Sequence, residues 1–195
     1  AQSLTAIEII AVNDSSADGS AYLLQRYNDD RIKLIGADRR GLVSALNTGL
    51  AQCAAPLVAR MDADDIMHRR RLEKQHEYLR DRPDVVLVAA QARKFPQQLV
   101  QNGYREYMRW QNAVLSSEDV NNQIYIESPF AHPSVMFRRD SILAAGGYRH
   151  GVFPEDYELW LRLLHIGHRM EKLPQVLLDW RESATRLSRV SDKYS

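Results

Sequence analysis

Short, almost continuously apolar runs alternate along the chain with stretches whose apolar residues recur every three or four positions, the pattern of an α/β domain with a largely parallel sheet. IEIIAV (Ile7 to Val12) predicts a buried strand. NDSSADGS then turns, and from Ser20 the apolar Tyr22, Leu23, Leu24 and Tyr27 predict a helix. IKLIGA (Ile32 to Ala37) is a second strand, and Leu42, Leu46 and Leu50, four apart within Gly41 to Gln52, predict an amphipathic helix. LVARM (Leu57 to Met61) is a third strand, followed by a helix from Arg69 that stops before Pro83. DVVLVAAQ (Asp84 to Gln91) is a fourth strand. From Arg93 to Asn122 the pattern loosens into a lid or irregular helical insert. SVMFRR resumes as a strand, AAGGY turns, PEDYELWLRLLHIG is a strongly patterned helix and KLPQVLLDWRES a closing strand. No repeat, low-complexity tract or linker interrupts the series, so residues 1–195 read as one domain.

The size agrees. At 195 residues and 45% hydrophobic content the chain has material for one sizeable core and is short for two. Lys plus Arg is 26 against 25 for Asp plus Glu, and a formal charge of +1 gives no general electrostatic reason to expect a nucleic-acid or membrane partner. The single Cys53 excludes an internal disulfide and a cysteine zinc site, which suits a reducing compartment. No apolar run approaches the roughly 20 residues that span a bilayer, so the expected location is cytoplasmic, with a peripheral place at the inner face of the membrane as the variant. The chain begins without Met and runs almost at once into a strand, which reads as a fragment.

In open α/β sheets ligands sit outside the carboxyl ends of the strands, and the acidic residues lie there. The third strand ends in DADD, Asp62 to Asp65. Carboxylates about 5 Å apart repel one another by about 3 kcal/mol per pair at an effective dielectric near 20, so solvent, arginine or a cation must hold them together. Mg2+ or Mn2+ wants hard oxygen ligands and usually takes one or two carboxylates, with water and phosphate completing its shell. The competing reading is an acidic turn capping the helix near Arg69. NDSSADGS, ending the first strand, is likewise either a self-capping turn or a place where Asp14 accepts the N–H of a uracil-like base. PEDY is a good helix start, and Asp156 at that N-terminus, ionised in the dipole field, has the alternative of accepting a proton from a sugar hydroxyl. His132 is a ligand, a base or, as favoured, a packed loop histidine. Trp110 and Trp160 read as core or pocket wall, and Arg69, Arg70 and Arg71 as a solvated helix face.

Taken together, EIIAVNDSSADGS, GLVSALNTGL, VARMDADDIMHRRRLEKQ, HPSVMFRR and GGYR followed by PEDYELWLRLL resemble, in order and spacing, the family-two inverting glycosyltransferases, from about Ile7 to Ser188. The resemblance implies a GT-A-like fold, that of nucleotide-diphospho-sugar transferases: a three-layer sandwich with a mainly parallel sheet, here N-terminally truncated. Residues 1–90 would then be the nucleotide-sugar-binding half and residues 91–195 the acceptor-binding and catalytic half. It implies that Asp14, with Asp62, contacts the nucleotide, that Asp64 helped by Asp62 holds the metal bridging the diphosphate, and that Asp156 is the catalytic base. His132, Glu155 and Trp110 are the acceptor or pocket candidates.

Three departures accompany the resemblance. The family's first strand and helix, roughly 20 to 30 residues on the scale of a βαβ unit, precede what is present here, so altered strand pairing is expected. Asn13 and Ser15 replace an acid and a Gly of the family's usual DDGS, and Ser183 stands where a histidine often follows the last strand. The leading expectation is a Mn2+- or Mg2+-dependent transferase taking a UDP-sugar to a glycan or lipid-linked acceptor, without nucleic acid. A truncated, non-catalytic nucleotide-binding domain is the alternative, and a nucleotidyltransferase a third, lacking here the Gly-rich phosphate loop that class presents. Self-association through an exposed sheet edge is also expected.

Overall fold

The computed structural model describes residues 1–37 and 39–183; the stretch from 184 to Ser188 at the end of the resemblance lies outside them. The elements follow the alternation read from the sequence. They are β1 (Ile9–Asn13), α1 (Ser20–Gln25), β2 (Ile32–Gly36), α2 (Leu42–Gln52), β3 (Leu57–Ala59), β4 (Ile66–Met67), α3 (Arg71–Asp81), β5 (Val85–Phe95), α4 (Asn102–Ala113), α5 (Ser117–Gln123), β6 (Met136–Arg138), α6 (Arg139–Ala144), α7 (Glu155–His165) and β7 (Arg169–Arg181), with 3₁₀ turns at Gln97–Leu99 and His132–Ser134.

A five-stranded sheet in the order β3-β6-β5-β7-β4 forms the middle layer. Its longest ladder, β5 on β7, is parallel, whereas β3, β4 and β6 run antiparallel to their neighbours, so the sheet is mixed. Central β5 is buried over Val85 to Ala90 because helices cover both faces. Val86, Leu87 and Ala89 join Leu159, Trp160 and Leu163 of α7 and Val43 and Leu50 of α2 on one side. Val85, Val88 and Ala90 join Leu72 and Leu79 of α3 on the other. Along β7 the register slips around Pro174, between Leu173 and Val176, where a residue without an N–H cannot continue the ladder.

β1 and β2 form a separate parallel pair. Among the described residues no strand pairs with the other edge of β1 or the outer edge of β3. Side chains tie the small sheet to the rest: Glu8 Oε1 accepts the amides of Ala54 and Ala55 at 2.7 and 3.1 Å, and Leu4 and Ile7 pack on the α3 side of the core.

Several local readings change. The loose segment after Arg93 contains two regular helices, α4 and α5, the second opened by a capping box between Ser116 and Asp119. β5 runs four residues past Gln91 because Ala92 and Lys94 alternate inward with the more exposed Gln91 and Arg93, and α6 replaces a direct run from strand to turn. Arg71 is not part of a solvated face. It is fully buried, with Nη2 donating to the carbonyls of Arg60 and Val135 at 2.9 and 3.2 Å and Nε to Gln75 Oε1 at 3.0 Å. Burial lowers its pKa to about 9, and those acceptors replace the water it gives up.

Candidate active site

The DADD loop leaves β3 at Arg60 and is fixed from three directions. Arg60 Nη2 pairs with Asp62 Oδ1 at 2.6 Å. At the end of β7 the backbone N–H of Arg181 donates to Asp65 Oδ1 at 2.7 Å and its Nε to the carbonyl of Asp64 at 2.6 Å. The amide of Asp65 closes the turn onto the carbonyl of Asp62 at 3.3 Å. Arginine therefore holds part of the acidic charge, and the Asp64 carboxylate takes no hydrogen bond among the described residues. One oxygen from each of Asp62, Asp64 and Asp65 lies within 4.8 Å of the others. This all-oxygen donor set, with Asp64 exposed and uncommitted, fits Mg2+ or Mn2+.

A second cluster forms at the start of α7, where Pro154 precedes Glu155 and Asp156 in a first turn rich in acids. Glu155 is 2% exposed and the Asp156 side chain 17%. Burial, followed by the charge of Glu155, pushes Asp156 up to about 6; the amides of Tyr157 and Asp156 and the charge of Arg60 oppose the rise. His132 faces it from the 3₁₀ turn, with Nδ1 3.9 Å from Asp156 Oδ2 and Nε2 2.9 Å from the hydroxyl of Tyr148. Trp160 stands edge-on to the imidazole, ring centres 5.9 Å apart. Burial holds His132 well below the usual imidazole range, aided by Arg60, so it is neutral at pH 7. The donors of His132, Glu155 and Asp156 are also close enough together to hold a cation, but two buried carboxylates beside a neutral imidazole are the setting of a proton acceptor with a raised pKa.

Arg60 joins the two clusters. It pairs with Asp62 on one side, and its charge acts on His132, Tyr148 and Asp156 on the other. Arg60 is thus paired with one acidic cluster and felt electrostatically by the other. Asp14 is exposed at the end of β1, where both carboxylate oxygens accept the amide of Gly41 at 2.9 and 3.1 Å, ahead of α2. Asp18 provides the turn's self-capping, accepting from the amide and hydroxyl of Ser20. Trp110 packs against the main core, with its Nε1 donating to Gln123 Oε1 at 3.0 Å and its ring lying on Tyr107.

Sequence reasoning missed Arg60, Arg181, Asn47 and Tyr148. The first two occupy strand ends beside acids, which was the available signal. Asn47 and Tyr148 sit inside GLVSALNTGL and GGYR, motifs whose spacing gives no sign that they meet 101 residues apart.

The glycosyl transferase family 2 profile matches residues 1–147. Among curated relatives, the amylovoran biosynthesis glycosyltransferase AmsE of Erwinia amylovora is 35% identical over 191 residues, covering 96% of this chain and 69% of that protein. The O-antigen biosynthesis glycosyltransferase WbnJ of Escherichia coli is 33% identical, covering 89% of this chain and 66% of its own length. Among solved structures, S. aureus TarS 1–349 in complex with UDP-GlcNAc superposes with a TM-score of 0.75 at 14% identity, over 95% of this chain and 53% of that one. The mannosyltransferase PcManGT from Pyrobaculum calidifontis, in complex with GDP-Man and Mn2+, gives 0.66 at 21% identity, over 92% and 48%. The chain therefore spans about half the length of these solved structures, and the likeness to them is one of fold.

Proposed function

The chain belongs to glycosyl transferase family 2, and from that premise we propose that it forms the donor site and base of an inverting glycosyltransferase acting on a nucleotide-diphosphate sugar, with UDP as the favoured nucleotide. The acceptor is a glycan or a lipid-linked saccharide, as the names of relatives in amylovoran and O-antigen biosynthesis suggest. The observation that supports this reading is Arg60, which pairs with Asp62 of the DADD loop and whose charge acts on Asp156.

In this reading residues 1–90 serve the donor and residues 91–195 the acceptor. Asp14 contacts the base, and Asp64 with the free oxygen of Asp62 holds Mg2+ or Mn2+. When bound, the cation supplies positive charge that offsets the charge building on the departing diphosphate. Asp156 accepts the proton of the acceptor hydroxyl as that oxygen attacks the anomeric carbon from the face opposite the nucleotide, and inversion follows from that geometry. A base pushed up to about 6 remains ionised at neutral pH and is stronger than an ordinary Asp. Glu155 and His132 line the acceptor side; Trp110 is read as a packing residue. Among the described residues no helix is long and apolar enough to cross a membrane.

The test is release of nucleoside diphosphate from UDP-sugars with Mn2+, using the full protein that contains this chain. Turnover unchanged in Asp156→Asn refutes the base. The split between the two sheets favours a second reading, nucleotide binding without turnover. Calorimetry showing UDP and Mn2+ bound by a protein that releases no product identifies that case.

A further inference from the structure

Tyr148 follows the two glycines of GGYR, and its backbone is gripped on both sides. Asn47 of α2 reads it as one strand reads another: Asn47 Nδ2 donates to the Tyr148 carbonyl at 2.8 Å, and the Tyr148 amide donates to Asn47 Oδ1 at 2.9 Å. Arg162 of α7 donates to the carbonyls of Gly147, at 2.8 Å, and of Ala145. Gly147 has φ +66°, and a Cβ there would lie 2.7 Å from Asn47 Oδ1. The backbone that carries the tyrosine is therefore fixed, and its buried hydroxyl ends 2.9 Å from His132 Nε2.

We propose that Tyr148, held in place by Asn47, is a positioning residue that fixes the tautomer of His132, so that the imidazole turns its Nδ1–H toward the Asp156 carboxylate. This deepens the proposed function and rests on Asp156 being the base. A neutral imidazole carries one ring proton. The phenol has a proton to give, and its burial, with Asp156 and Glu155 nearby, raises its pKa and keeps that proton on oxygen. Nε2 then accepts, and the ring proton sits on Nδ1. The opposite tautomer would set a nitrogen lone pair against Asp156 Oδ2 at 3.9 Å. At that distance the N–H stabilises the carboxylate through space without claiming it in a hydrogen bond, which leaves the oxygen to the acceptor hydroxyl. The charged or titratable groups facing Asp156 are Glu155 on its own helix, His132 and Tyr148 opposite, and Arg60 from the end of β3.

The experiment is 15N NMR of histidine-labelled full protein at pH 7.5, with the His132 signals assigned by their loss in His132→Gln. The expected result is a protonated Nδ1 and a bare Nε2. In Tyr148→Phe, which keeps the ring and loses only the hydroxyl, kcat measured below pH 6 falls about tenfold, the equivalent of one pKa unit at the base, while at pH 7.5 it changes less than about twofold and donor KM stays within about twofold. The acid limb of its kcat–pH profile moves to higher pH, because the carboxylate loses the N–H that stabilised it. A wild-type His132 protonated at Nε2, or a Tyr148→Phe profile whose acid limb does not move, overturns the proposal. Failure of the base assignment appears separately, as turnover persisting in Asp156→Asn with the His132 tautomer unchanged.

Discussion

Replacing Asp156 by Asn should abolish turnover and at the same time stabilise the protein, by an amount that depends on pH. Burial and Glu155 raise the carboxyl from 3.8 to about 6 in the fold. A raised acid binds its proton more tightly in the native than in the unfolded chain, so its contribution to stability is present below about pH 4 and is lost as pH rises through about 6. The shift of about two units, at 1.36 kcal/mol each, is about 3 kcal/mol. Asn keeps the size, still offers an oxygen to the Tyr157 amide and carries no charge, so it escapes this loss. Its advantage over wild type should be about 1 kcal/mol at pH 4.5 and about 3 kcal/mol at pH 7.5. The groups that face Asp156, namely Glu155, His132, Tyr148 and Arg60, are present in both proteins. Urea unfolding followed by tryptophan fluorescence at the two pH values measures the difference, alongside nucleoside diphosphate release, which should fall at least about 100-fold. An advantage that does not grow with pH, or a variant less stable than wild type at pH 7.5, refutes the reasoning about the buried carboxylate.

Three further outcomes follow from the geometry. Asp64→Asn should weaken Mn2+-dependent UDP binding by about tenfold or more in calorimetry, about 1.4 kcal/mol, while leaving metal-free binding alone; equal affinities would remove Asp64 from the metal set. Gly147→Ala forces a side chain into a left-handed residue and against Asn47 Oδ1, displacing two hydrogen bonds, and should cost about 2 to 3 kcal/mol in urea unfolding; a loss below about 1 kcal/mol counts against the Asn47 grip. Arg71→Met strands Gln75 Oε1 and the carbonyl of Arg60, while the carbonyl of Val135 keeps the Arg60 amide, and should destabilise by about 3 kcal/mol; a neutral or stabilising effect would show that the guanidinium contributes nothing net.

Much of this was legible because the chemistry sits in short motifs at places where periodicity changes. DADD follows an apolar run and PEDY opens a strongly patterned helix, so the sequence puts one acid group at a strand end and the other at a helix start. What could not be read is the long-range pairing of polar side chains. Arg71 looks like its neighbours Arg69 and Arg70, and its burial is matched by acceptors that include the carbonyl of Val135, 64 residues away. Lys94 alternates inward along β5 although a lysine signals solvent, and lies 3.7 Å from the ring centre of Trp180. β4 is two residues long, too short for any periodicity to show. His132 was read as packed. It is, and the same burial that packs it makes it neutral beside the base.

The split between the two sheets has a consequence for how the molecule breathes. Among the described residues no backbone ladder runs from β1 to β3, so the β1–β2 unit is retained by side chains such as Glu8 and by the packing of α2 against β1. Its amides should exchange with solvent deuterium through a low-energy opening that leaves β5 and β7 protected. A donor held at once by Asp14 and the DADD loop would act as the missing cross-brace, slowing exchange in β1 and β2 far more than in the central strands.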